Sequence, residues 1–322
     1  MARHSKGVAV RLYNLFKRIG GIGIAGLIFG LGGLNNVDAA TPAEGASGPE
    51  VCKACHADQY DSYMASSMSV KSDARTPGAQ GGCVVCHTEN GDGTAHVKAG
   101  GGKGVGGIIN PGSKTLAADA KNKICLTCHQ KGRISWQGSK HQTNDVACTN
   151  CHSMHKDKGK DKVRDRMTQT EVCFTCHKDK RAEANRASTH PIRSGGIVCS
   201  NCHNPHGTAG SSLLVKNTVN ETCYTCHAEK RGPFLWEHPP ASDNCANCHN
   251  PHGSNTAPLL KARAPYLCLS CHNTGSGHPN QLRSGVGIAA VGANAQTAFR
   301  ACLNCHIQVH GSNHPSGPRF VR

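Results

Sequence analysis

Aromatic residues make up only 4% of this chain, with two Trp, five Tyr and six Phe in 322 residues. That is too few for the two or three apolar cores into which a chain of this length normally divides. Mean hydropathy is −0.44 and 38 residues are glycine, so something other than side chains must fill the interior. Strand signals are poor, and little or no β-sheet is expected. After the N-terminal segment no apolar run is long enough to cross a membrane. No cysteine is left over for a disulfide framework, because all 20 fall into one repeated pattern.

That pattern is C-x-x-C-H. It occurs at Cys52/Cys55/His56, Cys83/Cys86/His87, Cys125/Cys128/His129, Cys148/Cys151/His152, Cys173/Cys176/His177, Cys199/Cys202/His203, Cys223/Cys226/His227, Cys245/Cys248/His249, Cys268/Cys271/His272 and Cys302/Cys305/His306. Random placement of 20 Cys and 21 His along the chain gives about 0.08 such motifs. The spacing has a chemical reason. Two thiols three residues apart on one turn can add across the two vinyl groups of a single haem, and the adjacent imidazole then sits under the iron. Disulfides between such near neighbours would need no following histidine, and zinc sites built from four cysteines would leave ten histidines unexplained. The motifs therefore predict ten covalently attached c-type haems.

Arg3, Lys6, Arg11, Lys17 and Arg18 precede an apolar run from Ile19 to Leu34, followed by Val37-Asp38-Ala39. This predicts a secretory signal peptide over residues 1–39, cleaved after Ala39. An uncleaved anchor is the alternative, but the run has 16 residues, seven of them glycine, against about 20 for a span. Residues 40–322 are then the electron-transfer domain. The net charge of +16 suggests nucleic acid only superficially. Without residues 1–39, 31 basic and 19 acidic residues remain, or +12, and about twenty propionates with about ten ferric irons bring the sum close to neutral. No nucleic-acid role is expected.

Two motif flavours alternate. Cys125, Cys173, Cys223 and Cys268 open C-x-[Thr/Ser]-C-H, whereas Cys148, Cys199, Cys245 and Cys302 open C-x-Asn-C-H with another histidine three or four residues beyond. Cys148 to Cys199 is 51 residues and Cys199 to Cys245 is 46, so the repeat carries two haems in about 50 residues. With the divergent pair at Cys52 and Cys83 there are about five units. Outside the motifs and the leader stand ten histidines: His96, His141, His155, His190, His206, His238, His252, His278, His310 and His314. A single one of these would be read as an ordinary solvated or core histidine. Their number and regular placement predict bis-histidine, low-spin iron throughout. His206 lies too close to His203 to share its haem easily and is expected to ligate a neighbouring haem, as are His155 and His252. One slot is irregular: between Cys55 and Cys83 there is no histidine, but Met64 and Met68 are present, either as a sixth ligand or as ordinary packing residues.

The expected fold is a multihaem cytochrome c of short helices and irregular loops around an extended chain of ten haems. The segments Gly91–Gly112 and Asn273–Ala298 read as loops, the first of them mobile. Bis-histidine iron has no open position and suits outer-sphere electron transfer.

The Asn-Pro-His-Gly sequences at 204–207 and 250–253, the stretch Asp73-Ala-Arg-Thr-Pro77 and the ending Cys302-Leu-Asn-Cys-His-Ile-Gln-Val-His-Gly-Ser-Asn-His-Pro-Ser-Gly317 resemble the MtrA/MtoA/DmsE family of periplasmic decahaem cytochromes. The resemblance implies a periplasmic protein associated with the outer membrane and seated in an outer-membrane β-barrel porin. It would relay electrons between periplasmic or inner-membrane cytochromes and an extracellular multihaem cytochrome or reductase, towards metals, minerals or sulfoxides or inward from Fe(II). Two other functions are consistent with the motifs: a free periplasmic shuttle, and a multihaem reductase with one open haem site. The reductase is disfavoured because all ten motifs end in histidine.

Overall fold

A computed structural model describes residues 48–89, 91–155, 161–272, 302–304 and 306–320. The chain divides into residues 1–41 and residues 42–322, and only the second part is described. The predicted leader, His278, Cys305 and the segment Asn273–Ala298 lie outside the described residues.

Every motif sits on a short helical turn. First-flavour motifs close helices at Ala118–Leu126, Gln169–Phe174, Val219–Cys223 and Tyr266–Leu269. Second-flavour motifs form a single turn, α-helical at Cys148–Cys151 and 3-10 at Cys199–Asn201, Cys245–Asn247 and Cys302–Asn304. Helices this short do not hold themselves together in water. Among the described residues the apolar core is only Tyr63, Trp136, Ala147, Phe174, Ala184, Val198 and Leu214, which matches the scarcity of aromatics. No strand forms among them, and pairing is limited to isolated bridges such as His203 with Leu214 and His249 with Leu260. No described helix is long and apolar enough to cross a membrane.

Successive units dock through one recurring contact, made by the segment between the two motifs of a unit on the tail of the next unit's second motif. Ser188 exchanges backbone hydrogen bonds with Ser254 at 2.9 and 2.8 Å, and Trp236 does so with Ser312 at 2.9 Å each way. Gly253 and Gly311 make this approach possible. Their φ values are +143° and +136°, and a Cβ would strike the Glu183 carbonyl and the Phe234 ring respectively.

The glycine-rich stretch 91–112 is not the mobile loop its composition suggests. It contains a helix at Thr94–Lys98 and a 3-10 turn at Val105–Gly107. Glycines with positive φ at 100, 101, 102, 104, 106 and 107 turn the chain back until the Val105 carbonyl accepts a hydrogen bond from His96 Nδ1 at 3.1 Å. Gly106 passes so close to the His96 backbone that no Cβ would fit.

Candidate haem centres

In all ten motifs the histidine N–H donates to the carbonyl of the first cysteine at 2.8–3.1 Å. That bond closes one helical turn and brings both thiols and the imidazole to one side of it.

Eight motif histidines face one of the spare histidines. Ring centres are 6.5 Å apart for His56 and His96, 6.0 Å for His87 and His155, 5.9 Å for His152 and His206, and 6.2 Å for His177 and His141. The others are 6.0 Å for His203 and His252, 6.3 Å for His227 and His190, 6.1 Å for His249 and His310, and 6.2 Å for His272 and His238. An iron with a nitrogen about 2 Å away on each side, and a ring centre about 1 Å beyond each nitrogen, needs ring centres about 6 Å apart. Among the described residues His, Cys, Asp and Glu do not gather in groups of three or more around a point, so the imidazoles come in opposed pairs and not in zinc-like clusters.

The outward nitrogens fit the same reading. Nδ1 of His87, His141, His190, His203, His238 and His249 contacts the carbonyls of Ile109, Pro205, Pro251, Ser212, Val309 and Pro258 at 2.8–2.9 Å, and Nδ1 of His306 contacts the Arg319 carbonyl. A carbonyl only accepts, so each Nδ1 carries the proton and each Nε2 keeps its lone pair for a metal. Two partners are carboxylates: Asp161 lies 2.5 Å from His152 Nδ1 and Glu183 lies 3.3 Å from His252 Nδ1. Burial lowers the pKa of His155, His206, His252 and His310, which keeps them neutral, the form that binds iron. Trp136 and Trp236 bury indole N–H groups with no protein acceptor, the kind of donor a propionate satisfies. The donor set, spacing and orphaned donors all fit haem.

His314 is different. The Ser316 N–H donates to its Nδ1 at 3.1 Å, so in the neutral ring Nε2 carries the proton. Among the described residues neither His314 nor His129 stacks on a second imidazole.

The cysteines order the motifs in space. First cysteines touch within a unit: the Sγ atoms of Cys52 and Cys83, Cys125 and Cys148, Cys173 and Cys199, Cys223 and Cys245, and Cys268 and Cys302 are hydrogen-bonded pairs. Sharing of one proton lowers the Cys52 thiol to about 6 and raises that of Cys83. Second cysteines meet between units. Burial, and next the neighbouring thiol, raises Cys86 beside Cys128, Cys151 beside Cys176, Cys202 beside Cys226 and Cys248 beside Cys271. The ten motifs therefore neighbour one another in sequence order.

Two positioning residues carry no motif signature. Buried Asn122 accepts from the Cys148 N–H at 2.7 Å and donates to the Val146 carbonyl at 3.1 Å. Asn220 likewise accepts from the Cys245 N–H at 2.7 Å and donates to the Ala241 carbonyl at 3.0 Å. Each stands three residues before a first-flavour motif and clamps the two motifs of its unit together. That shared offset is the signal by which they could have been found.

A family described as the doubled CXXCH motif matches residues 141–182, 190–232 and 238–277. The matches begin on His141, His190 and His238, the histidines that reach into the following unit. The chain is 47% identical over 210 residues to the multiheme cytochrome MtrA of Shewanella baltica, across 65% of this chain and 62% of that protein. It is 27% identical over 86 residues to the cytochrome c-type protein NrfB of Escherichia coli O6:H1, across 26% of this chain and 45% of that protein. The chain thus spans 62% and 45% of the lengths of these two relatives.

Proposed function

Because the chain is a multihaem c-type cytochrome of the MtrA family, we propose that residues 40–322 carry electrons along ten haems as the periplasmic part of a conduit through the outer membrane. The observation that carries this reading is the alternation of cysteine contacts, first with first inside units and second with second between them, which joins all ten motifs in one line. Covalently bound haem supplies reversible one-electron exchange at its iron, with little change of ligation when imidazoles hold both axial positions.

The protein's own part is positional. Each C-x-x-C-H turn fixes a ring by two thioethers and one imidazole. A histidine from an adjacent segment holds the opposite face, so the sixth ligand is also the link between units. The Nδ1 acceptors hold each imidazole in the tautomer that presents Nε2. The basic residues offset propionate charge, and the mean hydropathy of −0.44 suits a protein lodged in the polar lumen of a large barrel. The partners in this reading are an outer-membrane β-barrel, an extracellular multihaem cytochrome or reductase, and periplasmic or inner-membrane cytochromes. Small-molecule turnover is not part of it.

The test uses the holoprotein with its haem content established by mass. Co-purification with an outer-membrane barrel, and reduction of an extravesicular acceptor by an internal donor only when both proteins are in the vesicle, is the expected result. Exchange with soluble partners at full rate and no barrel association would point to a free shuttle. Rapid steady-state reduction of nitrite, hydroxylamine or a sulfur oxyanion would point to a reductase.

A further inference from the structure

The histidine pairs obey a rule that the motifs alone do not contain. The spare histidine lying between the two motifs of one unit faces the first motif histidine of the next. His141 faces His177, His190 faces His227 and His238 faces His272. Each of the three is docked by its Nδ1 on the carbonyl just before the next unit's trailing histidine, that of Pro205, Pro251 or Val309.

Applied to the first unit, the rule assigns a residue between Cys55 and Cys83 to the iron held by His129, and docks it on the carbonyl before His155. That carbonyl belongs to Met154, and it accepts from Ser62 Oγ at 3.0 Å. The segment is therefore in the expected place but brings a hydroxyl in place of an imidazole. His129 has no ring partner among the described residues, and His314 has the wrong tautomer for a ligand.

A ligand from this segment is close at hand. Tyr63, next to Ser62, is buried. Its hydroxyl is raised to about 12, by burial first and then by the charges of Cys83 and Cys86, and Cys86 in turn neighbours Cys128. The Tyr63 hydroxyl donates to the Met68 carbonyl at 3.2 Å, while the Met68 N–H donates to Ser66 Oγ at 3.3 Å. The Met68 backbone is thus pinned beside this thiol cluster, and its side chain is half-buried. Met64, by contrast, is 40% exposed at the end of the helix Ala57–Met64.

We propose that the iron carried by Cys125, Cys128 and His129 takes the Met68 thioether as its sixth ligand, making a single histidine–methionine centre at the third position of the line. This rests on the conduit reading for the haems themselves and deepens it. A thioether favours ferrous iron more than an imidazole does, so this position has the highest potential among its neighbours and holds an electron when they are oxidised.

The experiment is near-infrared magnetic circular dichroism of the ferric holoprotein, with attachment at Cys125 and Cys128 verified by mass. One haem in ten should show the methionine–iron charge-transfer band and the rest the bis-histidine band. Met68→His should lose the methionine band and the highest-potential component of a redox titration, with all haems retained. Met68→Ala should lose the band and let one ferrous haem per protein bind carbon monoxide, and Met64→Ala should change neither. Ten attached haems that are all bis-histidine, a high-spin component in the native protein, or a methionine band lost in Met64→Ala would overturn the assignment while leaving the conduit standing. Free thiols at Cys125 and Cys128 in the mature protein would overturn both.

Discussion

The segment between the two motifs of the first unit and that of the second do the same mechanical job with different side chains. Ser62 donates to the Met154 carbonyl and His141 to the Pro205 carbonyl, each of them the carbonyl before a histidine that reaches back one unit. The first segment is longer, and its extra residues form a 3-10 turn at Ser67–Ser69 and a short helix at Pro77–Gln80. The second ends in an imidazole that stands 6.2 Å from His177. The comparison separates two roles that a single histidine usually combines. Docking of one unit on the next needs only a donor at the right carbonyl, whereas ligation needs a nitrogen or sulfur lone pair.

The largest effect is expected where the ligand rule itself is removed. His206→Ala should turn the iron held by His152 high-spin, because the two rings face each other at 5.9 Å, and leave the iron on Cys199 and Cys202 low-spin through His252. Electron paramagnetic resonance reads the outcome. The new signal should vanish in a Cys148→Ser/Cys151→Ser background and persist in a Cys199→Ser/Cys202→Ser one. The reverse dependence would break the rule on which the comparison of segments rests.

Next in size is the clamp inside a unit. Asn122→Ala strips partners from the Cys148 N–H and the Val146 carbonyl, and leaving two backbone groups unpaired costs about 2 kcal/mol or more. Denaturation of the holoprotein should show a lower midpoint with an unchanged slope and unchanged haem spectra. The first unit has Pro49 at the corresponding position, packed under Gly82. Pro49→Ala removes contact but no hydrogen bond and should cost less. Equal losses would mean that the two units are held together in the same way.

Attachment motifs and their two-by-two grouping are legible in the sequence because covalent chemistry dictates the spacing of Cys125, Cys128 and His129 whatever the fold. The pairing of spare histidines is not legible there. His155, His206 and His252 reach back one unit while His141, His190 and His238 reach forward one, and that depends on how units stack. The missing histidine near Met68 is visible as an irregularity, but the iron it concerns emerges only once the forward rule is known. The stretch 91–112 misleads because glycine supports both mobility and tight reversal. Here positive φ at Gly106 brings the chain against His96. Asp161 and Asn122 act through a ring nitrogen and a backbone amide brought to them by the fold.

A smaller effect separates carboxylate from carbonyl partners. Asp161 is 2.5 Å from His152 Nδ1, where His203 and His249 have the carbonyls of Ser212 and Pro258. A carboxylate makes the imidazole more basic and favours ferric iron, so it lowers the potential of this centre. Asp161→Asn keeps an acceptor but removes the charge. The potential of that one haem should rise by about 60 mV, a tenfold change for one electron, in a spectroscopic redox titration. No shift would place Asp161 with the carbonyls as a purely orienting group.

The smallest effect is the sharpest test of the separation between docking and ligation. Ser62→Ala removes the hydroxyl from the Met154 carbonyl and nothing that could bind iron. One partly buried neutral hydrogen bond contributes about 1 kcal/mol, so the denaturation midpoint should fall slightly while every haem band keeps its intensity. His141→Ala removes the equivalent docking bond together with a ligand, and should show a similar loss of stability plus one high-spin iron. If Ser62→Ala itself altered the spectrum of the haem on Cys125 and Cys128, docking would be what holds the sixth ligand in place, and the two roles would be coupled through the turn Ser67–Ser69 that carries Met68.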